Sequence, residues 1–300
     1  MAEPLFQRLA LIGVGLIGSS VARVARARGD LAGELVVSAR TQRTLDRVME
    51  LGIADRVELD PAVAVAGADG VMLCAPVGTY AGIAEAIAPA LSPGCVLTDV
   101  GSTKGSVIRD VGPWVPAGVH FVPGHPMAGT EYSGPDSGFA TLFQGRWCLL
   151  TPLPGSNPAA VERVSELWRR CGSMVETMDP EHHDRVVAIV SHLPHLLAFT
   201  ICGTADDLAA EGTAEASRSE VLKFAAAGFR DFTRIAASDP VMWRDVFLNN
   251  REALLEMLAR FMEDAQAMAR AVRYGDGTYI EERIERGRAI RRGLIEANQA

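Results

Sequence analysis

Cysteines and aromatic residues are scarce in this sequence, and the cysteines follow no pattern that binds metal or forms disulfides. Five cysteines are spread over 300 residues, and no Cys-x-x-Cys pair occurs. An odd number of scattered cysteines within apolar runs indicates reduced core thiols. The sequence also lacks an apolar run of about 18 residues and a signal-peptide pattern at its start. We therefore expect a cytoplasmic protein with no membrane partner.

Positive charge is also in short supply. Lys and Arg total 29 against 37 Asp and Glu, which gives a formal net charge of −8. An acidic surface repels nucleic-acid phosphates and anionic lipid, so neither nucleic acid nor a membrane surface is an expected partner. Hydrophobic residues make up 48% and charged residues 22% of the chain, as in folded globular domains. A chain of 300 residues has room for two such domains.

The first 179 residues alternate between apolar, β-branched runs and helical segments. We predict strands over residues 8–12, 34–38, 70–75, 95–98, 119–122, 147–150 and 174–177, with helices between them. Gly29 and Gly52 follow two of these helices, where a left-handed residue commonly ends a helix. Strands that alternate with helices are typical of a doubly wound, mainly parallel sheet, so we predict an α/β domain over residues 1–179.

The remaining residues, 180–300, contain no convincing strand, and Ala, Leu, Met, Glu and Arg recur there at helical spacing. We predict that this region is a second, all-helical domain. Its apolar stripes suit either a core or the surface of a second subunit, so a homodimer is expected. The stripes include Leu254, Leu255, Leu258, Phe261 and Met262.

Glycines follow a specific pattern directly after the first predicted strand. Residues 13–18 read Gly-Val-Gly-Leu-Ile-Gly and open a helix of small and aliphatic residues. Gly13 permits the tight turn, Gly15 lets the backbone approach a pyrophosphate, and Gly18 allows close packing of the helix. The alternative is a glycine turn with no ligand. In this setting the pattern favours a Rossmann-type dinucleotide site that includes Leu16 and Ile17.

The end of the second predicted strand carries no carboxylate to bind the adenosine ribose. Ser38 and Arg40 stand there instead, and Arg43 follows. Such residues suit a 2′-phosphate, so the sequence favours NADP over NAD. The alternative is that Arg40 is simply exposed at a strand end.

Other polar residues follow later strands, whose carboxyl ends border the cofactor cleft in open α/β sheets. Ala75 and Pro76 end one strand, and Ser102 follows another. His125 lies between Gly124 and Pro126, and we predict it in a loop, where it is a candidate proton acceptor. Ser102 is either a partner of His125 or substrate, or a helix cap. Lys104 is interpreted as an ordinary first-turn helix residue.

The helical region contributes four histidines within fourteen residues, 182–195. A metal site is disfavoured because no cysteine lies near and no His-Glu-x-x-His pattern occurs. His195 is instead a candidate donor to a carboxylate. Farther on, Arg234 suits a bidentate carboxylate clamp, Asp231 suits a cation and Trp243 suits a ring, with a surface ion-pair network as the alternative.

Five segments in this order resemble the prephenate and arogenate dehydrogenase family of tyrosine biosynthesis. They are residues 13–18, 99–104, 124–131, 191–195 and 228–234, with Trp243 beyond the last. The resemblance covers nearly the whole chain. It implies a Rossmann domain followed by a helical substrate-binding and dimerisation domain. It also implies NAD(P)-dependent oxidative decarboxylation of prephenate, arogenate or both, to 4-hydroxyphenylpyruvate or tyrosine.

The resemblance implies a role for each site residue. His125 is implied as the base, Ser102 as its neighbour beside the nicotinamide, and Arg234 as a ligand of a substrate carboxylate. Glu131 suits the ammonium group of arogenate, or alternatively orders a loop. The other implied substrate neighbours are His195, Asp231, Thr130 and Trp243.

Two other classes share parts of this pattern. β-Hydroxyacid dehydrogenases also join a nucleotide domain to a helical domain, but they use a Lys-x-x-x-Asn helix, and the helix near Glu181 contains no lysine. A redox sensor that binds nucleotide without turnover is the second alternative. Such a protein would not need His125, Ser102, His195 and Arg234 in one cleft.

Overall fold

The computed structural model describes residues 3–130, 132–211 and 223–297. The chain divides into two compact units, Met1–Arg251 and Glu252–Ala300.

The first unit is built on a six-stranded sheet whose strands are all parallel. The strand order is β3-β2-β1-β4-β5-β6, so the order reverses between β1 and β4, where a doubly wound sheet opens its binding crevice. The predicted fold class is confirmed. The strands are β1 (Phe6–Ile12), β2 (Ala32–Ser38), β3 (Arg56–Glu58), β4 (Gly70–Leu73), β5 (Val96–Asp99) and β6 (His120–Val122).

Helices cover both faces of this sheet. Successive residues of β1 enter different cores: Leu9 and Leu11 belong to one apolar cluster, and Ala10 and Ile12 to the other. Burial on both faces explains why the strands are nearly continuous apolar runs. The helices are α1 (Leu16–Arg28), α2 (Gln42–Glu50), α3 (Pro61–Val65), α4 (Tyr80–Ile87), α5 (Lys104–Val111) and α6 (Pro158–Arg170).

A second, three-stranded sheet corrects two sequence-based expectations. It joins β7 (Gly124–Pro126), β8 (Trp147–Leu150) and β9 (Met174–Thr177), so the last two predicted strands do not extend the main sheet. Our placement of His125 in a loop was wrong, because β7 pairs antiparallel with β8 and sets His125 opposite Leu149. Glycine and proline around His125 indicate a turn, but the pairing with β8 keeps this short segment extended.

A long helical stretch follows β9 in the same unit. α7 (Pro180–Val187) continues through a π-helical segment, Ala188–His192, into α8 (Leu193–Glu211). α9 (Ala227–Thr233), a 3-10 turn over Arg234–Ala237 and α10 (Pro240–Asn249) complete the unit. Residues 180–211 and 223–297 contain no strand. By length and composition alone Pro180–Leu208 is apolar enough to cross a membrane, a test that core helices of globular proteins also pass.

The second unit is formed by two helices, α11 (Arg251–Tyr274) and α12 (Gly277–Glu296). Gly275 adopts a φ of 70° at the end of α11, and Asp276 caps α12 by accepting the Tyr279 N–H at 3.0 Å. Arg283 pairs with Asp264 at 2.7 Å and links the two helices.

Candidate active site

The glycine turn lies where β1 and β4 end side by side. Gly13 has a φ of 101°, and a Cβ built on it would lie 2.7 Å from the backbone nitrogen of Ala75. A Cβ on Gly18 would lie 2.5 Å from the Gly13 oxygen. Gly13 must therefore be glycine because of its positive φ and the lack of space, and Gly18 because of the lack of space alone.

The same turn leaves room for an anion. A Cβ on Gly15 would meet no atom within 4 Å, and Gly15 precedes α1 without any side-chain cap on the helix terminus. The first backbone N–H groups of α1, from Leu16 and Ile17 onward, are thus available to a pyrophosphate, which the positive end of the helix dipole favours. These residues fit a dinucleotide.

The end of β2, where the adenosine ribose would bind, carries one buried and one exposed polar residue. Ser38 is buried at the end of the strand, and its carbonyl accepts the Gly13 N–H at 2.8 Å. Arg40 is exposed and forms no ion pair with any described residue. Pro76, which is exposed after β4, and Ser102, which is half-buried after β5, stand at the same carboxyl edge of the sheet.

His125 is buried on β7 and is the first member of a chain of hydrogen bonds. Its Nδ1 lies 2.8 Å from Nε2 of His183 on α7, and Nδ1 of His183 lies 2.8 Å from Oδ1 of Asp184. The two rings meet edge to face, with centroids 5.1 Å apart. Burial, with smaller contributions from His183, Lys104 and His192, lowers the pKa of His125 well below its usual value. His125 is therefore neutral at pH 7 and able to accept a proton.

The Asp184 carboxylate also caps a helix on another element. It accepts the N–H of Lys104 at 2.7 Å and of Gly105 at 2.8 Å, at the start of α5. Thr103 at the N-cap position makes no side-chain cap bond, so Asp184 supplies the missing acceptor. Burial raises the pKa of Asp184, but hydrogen bonds from His183, Lys104 and Gly105 outweigh burial and lower that pKa overall.

A buried ion pair lies beside this network. The Lys104 ammonium, which has no exposed side-chain surface, lies 2.6 Å from Oδ2 of Asp99 and also donates to the carbonyl of Gly124. Asp99 in turn accepts the N–H of Gly124 at 3.0 Å. Lys104 was therefore wrongly interpreted as an ordinary helix residue. It fixes the backbone immediately before His125.

The π-helical segment brings the later histidines to the same side of the long helix. At about 100° per residue, a regular α-helix would turn His195 about 120° away from His183. A π segment holds one extra residue per turn and removes most of that angle. His192 is buried, and its Nδ1 lies 3.0 Å from Nδ2 of Asn250, which also donates to the Asp184 carbonyl at 2.8 Å.

His195 and Trp243 form a second cluster beyond His192. Their rings stack with centroids 3.6 Å apart and 21° between planes. His195 Nδ1 donates to the Ser191 carbonyl at 2.9 Å. Burial lowers the pKa of His195; the hydrogen bond to Ser191 opposes this shift, and the positive charge of Arg234 adds to it. Arg234 itself is exposed at the start of the 3-10 turn.

The structure leaves other predicted residues without direct partners in the site. No hydrogen bond joins Ser102 to His125 within residues 3–130. Thr130 is exposed, and its Oγ1 accepts the Tyr132 N–H at 3.3 Å. Asp231 is exposed and pairs with no described cation. Glu131 lies outside the described residues.

Sequence reasoning missed the residues that support His125. His183 was considered only as one of four histidines in a disfavoured metal site, and Asp184, Asn250 and Asp99 were not singled out for a role of their own. One signal was available: a histidine followed by an aspartate, one turn after the helix start at Asp179-Pro180. Across the described ranges, no group of three or more His, Cys, Asp or Glu side chains is arranged to hold a metal ion.

Comparison with known proteins identifies relatives over nearly the whole chain. Residues 21–177 match the family described as "Prephenate dehydrogenase, nucleotide-binding domain", and residues 179–286 match "Prephenate dehydrogenase, dimerization domain". A cyclohexadienyl dehydrogenase from Zymomonas mobilis is 38% identical over 96% of this chain and 96% of its own length.

Two solved structures are similar throughout. Prephenate dehydrogenase from Aquifex aeolicus, in complex with hydroxyphenyl propionate and NAD+, gives a TM-score of 0.88 at 32% identity and covers 96% of this chain and 98% of that chain. Synechocystis arogenate dehydrogenase gives a TM-score of 0.79 at 25% identity and covers 96% of this chain and 99% of that chain.

The buried histidines predict that acid destabilises the fold. Burial lowers the pKa values of His125, His183 and His192, the last to about 4. Below about pH 6.5 the unfolded chain therefore binds protons that the folded chain does not, and for His192 this difference persists down to about pH 4. Stability is therefore complete above pH 6.5 and is lost as the pH falls. For His192 alone this loss is about 1 kcal/mol between about pH 7.5 and 5.5, and His125 and His183 add to it in the same direction. Urea unfolding at the two pH values measures this loss.

His192→Asn tests the assignment to individual residues, since its amide oxygen still accepts from Asn250. We expect the variant to lose about 1 kcal/mol less than the parent over the same pH interval. Exposed His182→Gln serves as the control and leaves the loss unchanged. An equal loss in the parent and in His192→Asn would contradict the assignment.

Proposed function

The chain belongs to the prephenate and arogenate dehydrogenase family, and we propose that His125 is the base of the oxidative decarboxylation that it performs in tyrosine biosynthesis. The supporting observation is the environment of His125. It is buried and neutral, it stands beside the residues that follow β5, and its Nδ1 is engaged by His183. Its Nε2 is thereby left for substrate. The β-hydroxyacid and redox-sensor alternatives have no comparable support.

In the proposed chemistry the cofactor takes up the hydride and the protein takes up the proton. When bound, the nicotinamide ring accepts a hydride from the carbinol carbon of the cyclohexadienol. His125 accepts the hydroxyl proton as the carbon–oxygen double bond forms. The ring carboxylate leaves as carbon dioxide, its bonding electrons enter the ring, and the phenolate oxygen recovers a proton from His125. Aromatisation drives the reaction, so the protein must chiefly orient the substrate and move this proton.

Substrate binding is assigned to the cluster around His195. Prephenate and arogenate each carry two carboxylates, and the exposed guanidinium of Arg234 suits bidentate binding of one of them. Because Nδ1 of His195 donates to Ser191, this ring donates to a second carboxylate only through Nε2 and only when it is protonated. Trp243 stacks on His195 and holds its plane.

The remaining site residues take supporting roles in the proposal. Ser102 is half-buried and follows β5, and we assign it to the nicotinamide end of the cofactor site beside His125. Thr130 and Asp231 are exposed side chains that we assign to substrate contacts. Glu131 follows Thr130 in sequence and is assigned to the side-chain end of the substrate, where arogenate carries an ammonium group.

The cofactor is a nicotinamide dinucleotide, and we propose that NADP is preferred. No carboxylate stands at the end of β2 to bind the ribose hydroxyls. Arg40 is exposed there and unpaired among the described residues, which leaves its charge available to a 2′-phosphate. Gly13, Gly15 and the start of α1 would hold the pyrophosphate with either cofactor.

The proposed assembly is a homodimer formed through the helical region in the cytoplasm. The match to a family dimerisation domain over residues 179–286 supports it. Leu255, Phe261 and Met262 on α11 are 55%, 41% and 50% exposed, although Leu254 of the same stripe is buried. Exposed apolar side chains on one helix are typical of a subunit interface. Cytoplasmic location is proposed because the substrates and cofactor are small, water-soluble anions.

An absorbance assay of the reduced nicotinamide tests the reaction with prephenate or arogenate and NAD or NADP in all four combinations. For His125→Asn we expect kcat to fall about 100- to 10,000-fold with little change in KM, because only the proton acceptor is removed. His120→Asn, a histidine on β6 outside the site, is the matched control. An unchanged kcat in His125→Asn would exclude this residue as the base.

Arg234→Gln tests the carboxylate clamp. Loss of a charge-assisted pair raises KM about 10- to 100-fold, with a smaller effect on kcat. Arg230→Gln, one helical turn earlier with its guanidinium bonded to the Ala225 carbonyl, is the control that leaves KM near the parent value. Equal KM values in Arg234→Gln and the parent would remove Arg234 from the substrate site.

Arg40→Ala tests the cofactor preference. We expect KM for NADP to rise about 10-fold or more, because a cation beside the 2′-phosphate is lost, and KM for NAD to stay nearly constant. NAD thus serves as the internal control in the same variant. A parallel change in both values would show that Arg40 does not discriminate between the cofactors.

A further inference from the structure

We propose that His183 and Asp184 are positioning residues that hold His125 in one tautomer, with the proton on Nδ1 and the free electron pair on Nε2. This inference rests on the proposed function of His125. The observation behind it is the unbroken chain His125–His183–Asp184, with two contacts of 2.8 Å between buried side chains.

The direction of each hydrogen bond follows from Asp184. Its carboxylate accepts the backbone N–H groups of Lys104 and Gly105, at 2.7 and 2.8 Å, and these bonds hold it ionised. An ionised carboxylate has no proton to donate, so Nδ1 of His183 must be the donor of the bond between them.

The tautomer of His183 then determines that of His125. His183 is buried, which lowers its pKa, so at neutral pH it carries one proton and that proton is on Nδ1. Its Nε2 is therefore an acceptor, and Nδ1 of His125 must donate to it. The remaining nitrogen of His125, Nε2, carries the free electron pair, as proton abstraction requires.

The contact with His183 also fixes the orientation of the His125 ring. The edge-to-face contact with His183, at 67° between planes, restricts rotation about the His125 side chain. The carbonyl of Gly124 is held by Lys104, so the backbone before His125 is fixed as well. Without His183, the buried Nδ1–H would lose its acceptor and the ring would favour other tautomers and rotamers.

Nitrogen-15 NMR of histidine-labelled protein tests the tautomer without any assay of turnover. We expect the His125 resonances, assigned by their loss in His125→Asn, to show a protonated Nδ1 and an unprotonated Nε2 near pH 7.5. A protonated Nε2 in the parent protein would overturn the proposal outright.

Two substitutions at one position separate positioning from folding. His183→Gln keeps an acceptor near the Nε2 position, whereas His183→Leu removes it at similar volume. We expect His183→Leu to lose the single His125 tautomer and to lower kcat about 100-fold with little change in KM, and His183→Gln to restore the tautomer and most of kcat. His182→Gln, exposed on the same helix, is the control.

Circular dichroism and nucleotide binding confirm that each variant is folded. If both His183 variants lose kcat equally while His125 keeps its tautomer, His183 is only structural and the proposal fails. If His183→Leu scrambles the tautomer but kcat is unchanged, the positioning role stands and the assignment of His125 as base fails instead.

Discussion

The carboxylate of Asp184 connects the sheet to the long helix, and the site depends on that connection. It accepts hydrogen bonds from two backbone N–H groups of α5 and from the ring N–H of His183. The backbone carbonyl of Asp184 accepts a further hydrogen bond from the Asn250 side chain. One side chain thus caps a helix, orients a histidine and ties α7 to α5. A buried carboxylate is tolerated only when its oxygens are satisfied, and here every donor comes from within the site.

The Lys104–Asp99 pair imposes a second constraint. Burial lowers the pKa of Lys104 and raises that of Asp99, so it disfavours the charged form of each group. The contact of 2.6 Å between the two groups shifts both pKa values in the opposite direction and favours the charged forms. Removing one partner of such a pair leaves an uncompensated charge, which typically costs about 3–5 kcal/mol. Both members of this pair also bond to the backbone of Gly124. The buried ion pair therefore fixes the position of the backbone that carries His125.

The main sheet was predictable because its strands are buried on both faces and read as continuous apolar runs. β3 was missed, since Arg-Val-Glu carries no such run, and it forms only as an edge strand beside β2. His125 was recognised as a candidate base from the residues around it. The strand that contains it was not predicted, because its pairing partner β8 lies more than twenty residues away. Local pattern does not encode a pairing of that kind.

The supporting residues were hidden for a different reason. His183, Asp184 and Lys104 are far apart in sequence or unremarkable in it, and only the packing of α7 on α5 makes them neighbours. The π segment concealed the relation between the histidines as well, since a regular helical wheel turns His183 and His195 apart. Amino-acid composition does not reveal where a helix takes one extra residue per turn.

The π segment Ala188–His192 also constrains how this gene can change in length. Substitutions there alter one side chain at a time, but an insertion or deletion of a single codon would rotate everything downstream by about 100° relative to α7. His195 would then turn away from Trp243 while His183 kept its place. Length variation is therefore better tolerated in surface turns than within these five residues, whatever their chemical character.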